Sequence, residues 1–302
     1  MFARYDTRAT PAPDGRKSPA AVHSLNGGYA LDNSAAEAVD RFAALSELFD
    51  GGTIRHIEAR GIVRGWHCLE VGGGGGSIAS WLSERVGPAG RVVVTDINTR
   101  FLDSLKRPNL EVCRHDIVSD PLPEGAFDLI HARLVLMHLP ERKDVLRRLV
   151  KALRPGGWLL DEEFDVLSLP TDHNLNQHEV ALKSFFALNE MLSERGVELR
   201  CGRFLYASLR SLGLTGIGAE AGLSMGGGRS VVADLIRSTI CQLRDGMIAS
   251  GRITAEEIEH DLERLGDADS LMLTPTMWTA WGRRPEAAEL LEDPSVFLRA
   301  GI

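Results

Sequence analysis

The residues best equipped for chemistry lie together in HCLEVGGGGGSIASWL, residues 67–82, where the acid Glu70 is followed by five consecutive glycines, Gly72 to Gly76. A carboxylate beside a backbone stripped of side chains can grip a polar ligand from one side while the main chain meets it from the other. Cys68, Leu69 and Val71 read as a buried strand, and Ile78, Ala79, Trp81 and Leu82 recur at helical spacing, so the glycines lie in the turn between them. A helix beginning near Gly76 presents free N–H groups and the positive end of its dipole, which favour an anionic or polar ligand group. This is the geometry of a nucleotide-type cofactor site.

Two more acids follow at the ends of apolar runs. RVVVTDIN closes a second strand at Asp96, where a carboxylate can accept hydrogen bonds from both hydroxyls of a ribose. After a short predicted helix, NLEVCRHDI gives a third strand ending at Asp116, placed to accept the exocyclic amine of an adenine. FDLIHARLVLMHLPER then reads as a fourth strand, a loop and a helix start, and LRPGGWLLDEEF as a turn and a fifth strand. The glycines alone allow two cofactors. Gly74, Gly76 and Ala79 fit the dinucleotide fingerprint G-x-G-x-x-G/A, whereas Glu70, Gly72, Gly74 and Gly76 fit E/D-x-G-x-G-x-G, the first motif of class I S-adenosylmethionine-dependent methyltransferases. An NAD-dependent oxidoreductase would leave Asp116 unexplained, and the chain has no evident Tyr-x-x-x-Lys signature. A non-catalytic subunit keeping the fold as a scaffold is the other alternative.

Taken as an ordered series over residues 66–165, these motifs strongly resemble class I methyltransferases, particularly the small-molecule group that includes the ubiquinone and menaquinone biosynthesis enzymes. The five unbroken glycines depart from that group, which usually alternates them with other small residues. The resemblance implies an α/β fold: a Rossmann-like seven-stranded methyltransferase sheet with helices on both faces, plus a helical cap. It implies S-adenosylmethionine as cofactor, with Glu70, Gly72, Gly74 and Gly76 at the methionine part. Asp96, with Ile97 beside it, would meet the ribose, and Asp116 with Ile117 the adenine. Tyr29 and Arg41 would reach the cofactor from an N-terminal segment, although Arg41 in solvent is an equal reading. Arg133 would pair with the methionine carboxylate, its rival being a structural ion pair to Asp128 or Glu162.

Methyl transfer asks little of protein side chains, because alignment supplies much of the acceleration. A general base is needed only if the acceptor loses a proton during attack. His138 is the candidate: it follows strand four at the carboxyl edge of the sheet, where ligands of open α/β folds bind. A packed histidine bonded to backbone is the alternative, and His131, inside strand four, is expected to pack. His173 and His178 with Glu162, Glu163 and Asp165 have no recognised ligand spacing, so no metal is expected. Met225, Met272, Met277, Phe185, Phe186, Trp278 and Trp281 either line an apolar acceptor pocket or fill the core.

The 302 residues read as one elaborated domain. Residues 1–28 form a flexible tail, 29–60 the N-terminal cap helices, 61–170 the cofactor-binding core, and 171–302 cap helices with strands six and seven. In the N-terminal cap, Ser34 and Glu37 have capping-box spacing ahead of an apolar face of Ala38, Phe42, Leu45 and Phe49. Helices are expected over Gln177–Arg195 and Gly202–Leu212. TGIGAEAGLSM would form strand six and SLMLTPTMWTAWGRRP an antiparallel strand seven. The two-helix insertion between them, 229–266, has Thr254 and Glu257 at capping-box spacing and would serve as a lid or a homodimer surface. Segments 29–60 and 171–212 are expected to form a mobile cover. A net charge of −8 without a basic block argues against bulk nucleic acid. No apolar run reaches the roughly 18 residues of a membrane helix. Four scattered cysteines without a CxxC pair suggest reduced thiols. The expectation is a cytoplasmic enzyme with a small-molecule, apolar or aromatic acceptor.

Overall fold

The computed structural model describes residues 37–167 and 182–286; Tyr29, Ser34, His173, His178 and the start of the helix expected from Gln177 lie outside them. The chain begins with α1 (Glu37–Ala59) and continues through β1 (His67–Val71), α2 (Ser77–Val86), β2 (Arg91–Asp96), β3 (Leu110–Arg114) and β4 (Phe127–Arg133). A short 3-10 turn, Leu136–His138, leads to α3 (Arg142–Ala152) and the long β5 (Leu153–Asp165). Then come α4 (Lys183–Glu194), α5 (Cys201–Ser211), β6 (Thr215–Gly222), β7 (Met225–Gly227), α6 (Val231–Ala249), α7 (Ala255–Gly266), β8 (Leu271–Leu273) and β9 (Thr276–Arg283).

Seven strands form one sheet in the order β3-β2-β1-β4-β5-β9-β6. Pairing is parallel from β3 to β5, and β9 runs antiparallel to both of its neighbours. The central strands read as near-continuous apolar runs because both of their faces are covered. Alternate residues serve opposite layers: Leu69, Val71, Ile130 and Leu159 pack with α3 and α5, while Cys68, Val92, Leu129 and Leu160 pack with α1 and α2. The antiparallel strand between the fifth and sixth completes the seven-stranded, Rossmann-like methyltransferase sheet expected from the sequence.

Two local expectations are corrected. No helix joins β2 to β3; Leu102 and Asp103 N–H groups close on Thr99 O and Leu105 N–H on Leu102 O, which makes consecutive turns. The run SLMLTPTMWTAWGRRP is also two strands, since Pro275 has no N–H to continue a ladder. Its first part is β8, paired with β7 in a separate two-stranded sheet, and only its second part, β9, enters the main sheet.

Helix α1 covers the sheet from above. Its buried positions, Ala38, Arg41, Leu45, Phe49, Thr53, His56 and Ile57, recur every three or four residues and so form one stripe. Gly51 and Gly52 stand mid-helix with open space where their Cβ atoms would be, although each costs a helix interior about 1 kcal/mol relative to alanine. A second, smaller core joins α4, α6 and α7 through Met191, Ile240, Leu243, Met247 and Ile258. Helix α5 instead belongs to the layer on the sheet, with Leu205 and Leu209 in the main core.

The Thr254 side chain accepts from Glu257 N–H at the start of α7, and the Glu257 carboxylate accepts from Thr254 N–H in return. Losing such a reciprocal cap costs about 1 kcal/mol. Thr254→Ala is therefore expected to lower the thermal midpoint by a few degrees, read by circular dichroism, and to leave ligand affinity unchanged. A changed affinity would place the insertion in the site rather than beside it.

Candidate cofactor and acceptor site

The glycine turn is fixed by its neighbours. Gly72 has φ +68°, and a Cβ there would fall 2.3 Å from Val135 Cγ2, so both backbone and space demand glycine. The N–H groups of Gly72 and Gly73 donate to Thr95 O at 2.8 and 3.0 Å, which ties the turn to β2. Gly76, φ +80°, caps α2, but its Cα faces Leu105, where a Cβ would meet Cδ1 at 2.5 Å. It shapes the turn and does not line the cavity.

Asp96 shapes the same turn from the next strand. Its Oδ2 accepts from Gly74 N–H at 3.1 Å and its Oδ1 from Asn98 N–H at 2.9 Å. Burial raises its carboxyl above the usual range, against the opposing pull of those amides. At the end of β3, Asp116 holds its own loop: Oδ1 accepts from Val118 N–H at 2.9 Å and Oδ2 from Ser119 Oγ at 2.8 Å.

Glu70, the Gly72 to Gly75 turn, Asp96, Ile97, Asp116 and Ile117 line one cavity of about 690 Å³. Arg41, Phe42 and Leu45 of α1 close it above, and Arg133 at the end of β4, with Leu134 and His138 beyond it, forms its far wall. The Phe42 ring lies over Gly74 and Gly75, and Ser46 Oγ donates to Ser77 Oγ at 3.0 Å, so α1 is fastened to the turn. All the expected cofactor residues within the described chain, except Gly76, thus meet around one space.

Beneath the Glu70 end lies a polar row that sequence reading did not assemble. Glu70 Oε2 is 2.7 Å from His131 Nδ1, and His131 Nε2 is 3.2 Å from Glu162 Oε2. Glu162 Oε1 accepts from Thr279 Oγ1 at 2.6 Å, and its Oε2 accepts from Thr53 Oγ1 of α1. Burial pulls the His131 proton off, but the flanking carboxylates overcome it and raise the imidazole to about 9. Burial pushes Glu162 the other way, and His131, Arg133 and Thr279 outweigh it, bringing that carboxyl to about 2. Arg133 binds neither Asp128 nor Glu162. It donates to Asp50 Oδ1 at 2.8 Å and Thr53 Oγ1 at 3.0 Å, both on α1, while Asp128 is held by Arg154.

The other end of the cavity is built on β5. Glu163 Oε1 accepts from the N–H groups of Val135 and Leu136 at 3.0 and 2.6 Å and so anchors the turn that carries His138. Leu134 takes a left-handed backbone, φ +56°, costly for a branched side chain. Its N–H donates to Glu162 O at 2.8 Å, which holds it there. His138 is half-buried on the cavity wall, and desolvation, followed by the nearby Arg41 charge, lowers its imidazole to about 4.

None of Met225, Met272, Met277, Phe185, Phe186, Trp278 and Trp281 lines this cavity. Met272 and Met277 fill the smaller cores, Trp281 stacks on the Arg60 guanidinium at 4.2 Å, and Phe186 and Met225 are exposed. The apolar wall near His138 is Leu45, Leu134, Leu139 and Val197 instead. Helical spacing marks Leu45, but nothing local in the sequence marks Val197 or Leu139, which reach the cavity through tertiary packing.

The sheet order, the glycine turn and an acid at or just beyond the end of each of the first three sheet strands are features of the Rossmann-like methyltransferase fold. Residues 69–161 match the family described as methyltransferase domain. Among curated proteins, the ubiquinone/menaquinone biosynthesis C-methyltransferase of Pseudomonas fluorescens is 32% identical over 145 residues, covering 44% of this chain and 56% of that protein. The chain thus spans about half the length of the curated relatives it matches. Among solved structures, phosphoethanolamine N-methyltransferase 2 of Haemonchus contortus, in complex with S-adenosylhomocysteine, has a TM-score of 0.53 at 16% identity, covering 85% of this chain and 59% of that one. A Bacillus halodurans protein of the same fold has a TM-score of 0.51 at 14% identity, covering 77% of this chain and 98% of that one.

Proposed function

We propose that this chain transfers a methyl group from S-adenosylmethionine to a small apolar or aromatic acceptor. The observation that carries this reading is the convergence of Glu70, Asp96 and Asp116, from three adjacent strands, on one cavity floored by the glycine turn. The spacing suits an extended ligand with an amino-acid end, a ribose and an adenine. Glu70, beside the turn, would take the ammonium; Asp96, with Ile97, the ribose; Asp116, with Ile117, the adenine amine. Arg133 would take the methionine carboxylate while remaining tied to Asp50. When bound, S-adenosylmethionine supplies a methyl group activated by its sulfonium.

The protein's part is to align, exclude water and receive a proton. Leu45, Leu134, Leu139 and Val197 would hold the acceptor and keep water from the methyl group, and His138 would accept a proton where the acceptor carries one. The named relatives act on different atoms, one carbon and one nitrogen by their names, so the acceptor atom is left to experiment. The part of α1 over the cavity, Arg41 to Ser46, would serve as its cover, whereas α5, packed into the main core, would stay fixed. No described helix is long and apolar enough to cross a membrane, and the four cysteines, none in a disulfide, suit the reducing cytoplasm.

Calorimetry tests the cofactor. S-adenosylmethionine and S-adenosylhomocysteine are expected to bind at micromolar or lower concentration, and NAD is expected not to bind. Binding of NAD alone would replace this reading with the dinucleotide one. Ligand binding without methyl transfer to any of a panel of phenols, quinols and amines would favour the scaffold reading.

A further inference from the structure

Four polar side chains stand in a row across adjacent strands: Glu70 on β1, His131 on β4, Glu162 on β5 and Thr279 on β9. All lie on the face that α1 covers, and His131 is wholly buried. A buried charged group is costly unless its partners are complete, so a row of this kind persists against apolar alternatives only where something depends on it. Only Glu70 reaches the cavity. Its Oε2 is taken by His131 Nδ1, and His131 is oriented in turn by Glu162 on its opposite nitrogen.

We propose that His131 and Glu162 are positioning residues that set the rotamer of Glu70 for the cationic amino-acid end of the cofactor; this rests on the cofactor reading above. An imidazole that donates from both nitrogens must carry its proton, and the raised titration of His131 agrees with that state at neutral pH. The protonated ring fixes one Glu70 oxygen and leaves the other for the cavity that Glu70 lines. Neutral His131 has one N–H, so one of the two carboxylates would then face a ring lone pair and swing away. Thr279 and Thr53 complete the lone pairs of Glu162 and keep it from competing for a ligand. The row also reaches Arg133, which shares Thr53 with Glu162, so both groups proposed for the amino-acid end rest on the same support.

A pair of ligands separates positioning from general stability. S-adenosylhomocysteine carries the amino-acid end, and 5′-methylthioadenosine has the same adenine and ribose without it. His131→Gln is expected to weaken S-adenosylhomocysteine at least about tenfold, the scale of one charge-assisted hydrogen bond misdirected, and to leave 5′-methylthioadenosine within about twofold. Glu162→Gln, which keeps the shape and touches no ligand, is expected to do the same and carries the test should His131→Gln fail to fold. Equal weakening of both ligands, or of neither, overturns the proposal. Wild-type protein that binds neither ligand overturns the cofactor reading and this proposal together, whereas variants that lose both from a wild type that binds both overturn the positioning role alone.

Discussion

Replacing His138 by Gln is expected to lower turnover by about 10² to 10⁴ with an O–H or N–H acceptor, the usual contribution of a positioned base, while S-adenosylhomocysteine affinity stays within about twofold. The residue lies on the cavity wall between Leu134 and Leu139, on a turn pinned by Glu163. Burial and the Arg41 charge hold its imidazole near 4. The sign of that shift matters. A depressed histidine is neutral, hence able to accept a proton, at every pH above its folded value. The acid limb of its contribution to activity is therefore expected at about pH 4 and not near the ordinary value of about 6.5. A base so weak in its resting state suits an acidic O–H, such as a phenol or enol, better than an alcohol. Single-turnover transfer of labelled methyl across an acceptor panel, from pH 4 to 9, checks both points. Surviving activity with a lowered thermal midpoint would make His138 a packing residue.

Asp96→Ala is expected to weaken S-adenosylhomocysteine by about 1 to 3 kcal/mol, or five- to 150-fold, through hydroxyls left unmatched in a buried site. Asp96 also accepts from the N–H of Gly74, so its loss loosens the turn that floors the cavity. The upper part of that range is the expected result. Asp96→Asn retains an acceptor oxygen and should lie between. Calorimetry with S-adenosylhomocysteine measures both, and wild-type affinity in the alanine variant would move the ribose contact to another residue.

The cofactor half of the site was legible because it is local. Strand, glycine turn and helix occupy one stretch, and each acid is the last polar residue of an apolar run, so Glu70, Asp96 and Asp116 could be numbered before any coordinates. The polar row was not legible, because its members are 61 and 31 residues apart in sequence and meet only through strand register. His131 looked like a packed residue for the same reason: alternation shows that it is buried but not what it touches. Asp128 and Glu162 are the acids nearest Arg133 in strand order, but its partner, Asp50, lies 83 residues upstream on α1. The break at Pro275 is masked in the sequence by the apolar pattern that continues on both sides of it. Gly76 fits the motif spacing, yet its demand for glycine comes from Leu105.

The paired glycines of α1 have a mechanical meaning. On one side of Gly51 and Gly52, Phe42 and Ser46 lie on the glycine turn; on the other, Thr53 bonds Glu162 and Ile57 is sealed in the sheet core. Helices bend where glycines stand together, since the backbone there has the most freedom and no side chains brace adjacent turns. The helix is thus two levers on one pivot, with the outer arm resting on the ligand floor and the inner arm clamped. Tilting the outer arm would lift Phe42 off Gly74, but it would have to carry α6 along or break the Arg41 to Gln242 bond and the packing of Ala44, Leu45 and Phe49. Cofactor could then enter along α1 while the sheet and its buried charges stay closed.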